Sequence, residues 1–147
     1  MLALLGGLVS RDQILASAIP DSPERIVEIA YRVESRGMRV RLADRAAEMM
    51  QNFPLEPAKE EYLFAAVARM RSEFSEALRR YKTAVDLAPE NHRWRHEFAT
   101  LLAEQGLLSD AHRHASIGVR QMPGIPAYRL LLKRINELRR RQNSQSP

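Results

Sequence analysis

A shift of 34 residues lays one part of this chain on the next. Phe64-Ala65 returns as Phe98-Ala99, Ala77 as Ala111, the small Ala84 as the small Gly118, and Pro89 as Pro123. Beyond the second copy, Trp94 and Phe98 are answered by Tyr128 and Leu132. A fixed period of this size marks supersecondary units stacked side by side, no one of which buries its apolar face alone.

Each unit reads as two helices. Asp21-Ser22-Pro23-Glu24 is a helix start: a side-chain cap, a proline with preset φ, and an acid at the positive end of the dipole. Ile26, Ile29, Ala30 and Val33 follow on one face, and Gly37 is the expected left-handed cap. A second helix is expected from Val40 to Gln51, stopping before Pro54. Pro57 opens a helix to Arg71, Ser72-Glu73 turns, and Phe74 to Leu87 returns, ended by Pro89. Asn91 caps a helix to Gln105, Gly106 turns, and Leu108 to Gln121 is its partner. Pro123-Gly124-Ile125-Pro126 breaks the chain before a last helix, Ala127 to Arg141, expected to bury Tyr128, Leu131, Leu132, Ile135 and Leu138.

These units resemble tetratricopeptide repeats, whose signature is a helix–turn–helix of 34 residues with a W-x2-L-G-x2-Y…A-x3-F…P pattern. The middle unit reads Glu61-x2-Phe64-Ala65-x2-Ala68, Ala77-x3-Tyr81, Pro89. The next reads Arg95-x2-Phe98-Ala99-x2-Leu102, Ala111-x3-Ala115, Pro123. The first reads Ile26-x2-Ile29-Ala30-x2-Val33, Ala43-x3-Ala47, Pro54, with one residue gained in its turn and one lost after its second helix. Glu61 and Arg95 stand where the family often has Trp, and Trp94, one residue earlier, is the expected compensation. The resemblance implies an all-α, right-handed helical-hairpin solenoid of three units (23–56, 57–91 and 92–125). An N-terminal helical segment (1–22) precedes them; a capping helix (126–142) and a disordered tail (143–147) follow. Ala30, Ala65, Ala77, Ala99 and Ala111 are expected at close helix contacts, with Phe64, Tyr81 and Phe98 filling the space between units.

Composition narrows the chemistry. The absence of cysteine excludes disulfides, thiolate metal sites and a cysteine nucleophile. The net charge of +5 sits entirely at the end: residues 1–125 balance 17 basic against 17 acidic residues, whereas 126–147 hold six basic residues and Glu137. Met1–Val9 is apolar but far below the roughly 20 residues that span a bilayer. It also lacks the preceding Lys or Arg of a signal peptide, and Arg11 and Asp12 follow it at once. It is read as a helical piece on the first unit, with the end of a spanning helix of a longer protein as the alternative. The compartment is open, cytoplasmic by default and periplasmic as the other option.

No catalytic pattern survives inspection. His92 and His96 share a helix spacing but lack the glutamate and third ligand of a zinc site. Ser109-Asp110-x-His112 lies at a helix start, where Ser and Asp serve as caps. There is no nucleophile elbow and no phosphate-binding glycine loop. No enzyme activity, metal or cofactor is expected. In the family the first helices line a concave surface. Here that face is expected to show Tyr31, Lys59, Tyr62, Ala66, Arg69, Arg93, His96, Thr100, Leu130 and Arg134, a mildly basic strip with aromatic rings. Some members clamp a C-terminal carboxylate there; Ala66 and Thr100 stand where the clamp uses Asn. The expected partner is a protein or peptide with acidic groups, bound through Tyr31, Lys59, Tyr62, Arg69, Arg93, His96, Thr100 and Arg134. The alternatives are a soluble segment of a larger membrane-anchored envelope protein, and an anion- or RNA-binding module using the basic last helix. Nucleic acid is disfavoured, because only Tyr128 is there to stack on a base. A membrane enters only if the chain belongs to a longer protein.

Overall fold

The computed structural model describes residues 22–146. They form α1 (Pro23–Arg32), α2 (Arg36–Met50), α3 (Pro57–Met70), α4 (Phe74–Leu87), α5 (His92–Glu104), α6 (Leu108–Gln121) and α7 (Pro126–Gln145). Successive pairs α1/α2, α3/α4 and α5/α6 pack as hairpins, each hairpin packs on the next, and α7 closes the stack against α6. The described chain is thus an all-α, tetratricopeptide-like solenoid with a capping helix. The expectation for residues 1–22 lies, except for Ser22, outside the described residues. No described helix is long and apolar enough to cross a membrane.

The two central turns repeat bond for bond. In the first, the Ser72 and Glu73 amides donate to the Arg69 and Ala68 carbonyls; in the second, Gly106 and Leu107 donate to Ala103 and Leu102. This pairing satisfies carbonyls that the helix end leaves free, and it needs a left-handed residue. Gly106 supplies it at φ 76, and Ser72 takes the same role at φ 61. The helix ends before Pro89 and Pro123 also match, with the Ala88 amide on Ala84 and the Met122 amide on Gly118.

The first unit differs from the sequence reading. α1 stops at Arg32, Val33 is extended, and the Ser35 side chain accepts from the Met38 amide at 3.3 Å to cap α2. Gly37 therefore lies inside the first turn of α2, not at the end of α1. Serine is a strong N-cap, and it starts α2 four residues before the expected Val40. At the other end, α7 starts on Pro126 and runs to Gln145, through part of the tail expected to be disordered. Nothing between Arg141 and Gln145 breaks a helix, and Ser144 bonds back to the Arg141 carbonyl.

Small side chains set the spacing between helices. Ala30, Ala65, Ala77, Ala99 and Ala111 are all completely buried. Tyr81 and Phe98 are buried between units, and in α7 Tyr128 and Ile135 are buried while Leu131, Leu132 and Leu138 are half-buried. Phe64 is half-buried beneath the Arg80 guanidinium, 5.0 Å from its ring centroid. The positions where an aromatic was missing are filled by polar packing. Arg95, only 6% exposed, donates to the Pro89 carbonyl and contacts His114 Nδ1, both at 3.0 Å. Burial and the Arg95 charge push His114 down to about 4, so the imidazole is neutral and accepts that bond. Glu61 bonds Arg80 at 3.0 Å. Trp94 does not enter the vacated slot; it stacks on Tyr62 in the neighbouring unit.

Adding volume at a buried alanine tests this register. Ala111→Leu overpacks the α5/α6 contact and costs about 1–3 kcal/mol, read from denaturant unfolding. A variant that unfolds with the wild type would place Ala111 elsewhere.

Candidate functional site: the face of the first helices

The face expected to bind is built by α1, α3, α5 and α7, and side chains tie each of these helices to the next. Lys59 pairs with Glu24 at 3.3 Å, joining α3 to α1. Arg69 pairs with Glu104 at 3.1 Å, joining α3 to α5. His96 stacks on Tyr128 with ring centroids 4.4 Å apart, and His92 Nδ1 lies 2.7 Å from the Tyr128 hydroxyl, joining α5 to α7. Arg93 lies 3.7 Å from Glu97 one turn along α5.

The centre of the face is a carboxylate absent from the sequence expectation. Glu97 Oε1 accepts from the Tyr62 hydroxyl at 3.1 Å, and Oε2 accepts from the Tyr81 hydroxyl at 3.2 Å. The Tyr31 and Tyr81 hydroxyls are 3.1 Å apart. Tyr81 has one proton and gives it to Glu97, so Tyr31 donates to Tyr81. The chain Tyr31–Tyr81–Glu97–Tyr62 spans all three hairpins. Burial pushes the Tyr31 hydroxyl up to about 12, and it also raises Tyr62 and Tyr81, so each ring stays a protonated donor. Burial raises the Glu97 carboxyl too, against the bonds from Tyr62 and Tyr81 and the charge of Arg93 that favour its ionised form.

This geometry changes the standing of several expected contact residues. Tyr62 is 4% exposed and its ring lies flat on Trp94 at 4.8 Å, so it is a packing element, not an open platform. A view along α3 alone places it outward, because the ring is covered by α5 of the following unit. Tyr31 keeps 41% of its surface exposed with its hydroxyl turned inward. Thr100 bonds back to the His96 carbonyl at 2.8 Å and lines a cleft of about 140 Å³ with Arg134 and Leu138. Ala66 is buried. Leu130 is 65% exposed. The strip is also less basic than its cations alone imply. Lys59, Arg69 and Arg93 each pair with a carboxylate, whereas among the described residues Arg134 makes no ion pair, although Glu104 lines the same cleft. Among those residues no group of three His, Cys, Asp or Glu side chains is placed to hold a metal ion.

Two measurements follow from the carboxylate. Its raised pKa means that the folded state holds the proton more tightly than the unfolded chain. Stability from this group is full below the ordinary carboxylate value of 4.5 and falls as pH rises through the raised one. Glu97→Gln therefore flattens the stability–pH curve above pH 4.5, and an unchanged slope would remove Glu97 as its source. Tyr62→Ala acts on folding, with a loss of about 3–5 kcal/mol in denaturant unfolding, where an exposed ring would cost little.

No family model matches the chain, and none of the curated proteins compared with it shows significant sequence similarity. Solved structures do resemble it. A chain in the crystal structure of the APC/C hetero-tetramer Cut9-Hcn1 matches over 90% of this chain with a TM-score of 0.61 and 13% identity. This chain spans only 27% of that one. The crystal structure of MamA matches over 95% of this chain and 91% of its own, with a TM-score of 0.50 and 11% identity. At these identities the likeness is one of fold.

Proposed function

We propose that this chain is a non-catalytic interaction module of the tetratricopeptide type, which holds a segment of another protein on the concave face lined by α1, α3, α5 and α7. The observation that carries this reading is the bracing of that face. The first helices of the three hairpins and the capping helix present it, and ion pairs, tyrosine hydroxyls and stacked rings fix their relative positions. A surface held in place before binding loses little conformational freedom when a partner docks. Arg134, and Arg93 on the exposed side of its pair with Glu97, steer acidic residues, and Leu130 offers apolar contact on α7. The Cut9-Hcn1 relative works as part of an assembly of polypeptides, which agrees with this role. RNA fits the basic α7 less well, since its only ring, Tyr128, is 7% exposed and stacked on His96.

Reversing two exposed charges tests the face. In a displayed random-peptide selection, Arg93→Glu with Arg134→Glu slows association of the selected peptides about tenfold at low salt, with a smaller effect as salt rises. Arg134→Glu alone leaves the unfolding free energy within about 0.5 kcal/mol of wild type, since that side chain is exposed. Arg93→Glu also sets a second carboxylate beside Glu97 and lowers that free energy. Peptides that bind the folded double variant as they bind the wild type would place the site elsewhere.

A further inference from the structure

At the turn edge of this face, between the first two hairpins, lies a cleft of about 250 Å³. Its polar walls are the guanidinium groups of Arg36, Arg39 and Arg69 and the hydroxyl-bearing Tyr31 and Ser72; Phe74 supplies an apolar side. Arg69 is shared with Glu104. Arg36 and Arg39 have no carboxylate partner among the described residues, and the contact made by Arg36 is a long 3.4 Å bond to Ser72 Oγ. The cleft therefore carries an excess of about two positive charges, counting Glu104 against Arg69.

The repeat itself shows that packing does not require this cluster. One unit further on, the positions of Tyr31, Arg69 and Ser72 are held by Ala66, Ala103 and Gly106. The comparison is sharpest at the turn. Gly106 takes its left-handed φ of 76 without strain, whereas Ser72 holds φ 61 with a side chain that disfavours it. The strained residue is the one whose hydroxyl faces Arg36.

We infer that this cleft is a phosphomonoester site, which receives a phosphorylated side chain of the polypeptide bound on the adjoining face. The inference rests on the interaction-module reading, because Tyr31 and Arg69 belong to both surfaces. A phosphomonoester carries about −1.5 to −2 charges at neutral pH, matching the excess in the cleft. Its three terminal oxygens suit several guanidinium forks and the Ser72 hydroxyl, where a carboxylate offers two oxygens in one plane. Phe74 gives the carrier chain an apolar wall.

Three peptide arrays with a fixed central phosphoserine, serine or glutamate, otherwise randomised, test the site on the intact chain. The phosphoserine array binds at least tenfold more tightly than the serine array, and inorganic phosphate competes. Arg36→Ala with Arg39→Ala abolishes that difference. Ser72→Gly weakens phosphopeptide binding while raising the melting temperature, a combination that a structural serine would not give. Equal binding of phosphoserine and serine arrays, with both sensitive to Arg93→Glu and Arg134→Glu, overturns this inference and leaves the interaction module intact. A phosphate preference lost in the Arg36/Arg39 variant but untouched by the Arg93/Arg134 variant keeps the cleft and overturns the concave face. Binding to none of the arrays overturns both. Retention on phosphatidate vesicles that depends on Arg36 and Arg39, without phosphopeptide binding, moves the site to a membrane surface and also overturns the peptide assignment.

Discussion

The carboxylate of Glu97 is the tie that makes three hairpins one body. In a solenoid each unit touches only its neighbours, so stability is close to a sum of unit and interface contributions and the array can bend or open at any junction. Here the two junctions share one chain of bonds that ends on Glu97. That carboxylate accepts from Tyr62 and Tyr81 in the middle unit, and Tyr81 in turn accepts from Tyr31 in the first. A buried tyrosine left without an acceptor costs about 1–3 kcal/mol. Loosening either junction would orphan a hydroxyl. The face shared by the first helices thereby gains rigidity that apolar packing, with its tolerance for sliding, would not give.

The same choice of polar bracing over apolar filling recurs behind the face. Where the tetratricopeptide pattern has an aromatic, Arg95 is buried and held by the Pro89 carbonyl and by His114. The arrangement works only with His114 neutral, which burial and the Arg95 charge enforce. Glu61, in the matching position of the unit before, is held by Arg80, and Arg80 also covers Phe64. Buried charges of this kind add little net stability, since removing them from water offsets much of their attraction. They do fix register, because a hydrogen-bonded guanidinium has far fewer acceptable positions than an aliphatic side chain.

Much of the fold was legible because it depends on steric facts carried by single residues. Ala30, Ala65, Ala77, Ala99 and Ala111 are buried as expected, and the prolines and Gly106 end or turn the chain where they should. Gly37 does not end α1 because Ser35, two residues before it, is the stronger signal and caps α2. The binding face was harder. A helical wheel shows which residues leave one helix, but not which are then covered by the next unit, and so Tyr62 was read as open. A usable signal did exist. Lys59 and Glu24, Tyr62 and Glu97, and Arg69 and Glu104 are each 35 residues apart, close to the repeat length. Residues of complementary chemistry at that separation bridge neighbouring first helices, and applying the period to pairs would have found Glu97.

That same period separates what the array needs from what it has been free to vary. Positions that repeat, such as the alanines and the prolines, fix the distance between helices. Positions that break the repeat are where the chemistry lies. Tyr31, Arg69 and Ser72 are replaced one unit later by Ala66, Ala103 and Gly106, and each replacement is smaller and has no polar side chain. Packing alone would favour the smaller set at both junctions, because the turn at Ser72 is strained and the guanidinium of Arg69 must be desolvated beside its neighbours. The first junction is therefore built against the local optimum of its own repeat. Charge follows the same division: on the face Lys59, Arg69 and Arg93 pair with carboxylates, while among the described residues Arg36 and Arg39 at the turn edge and Arg134 on α7 make no ion pair.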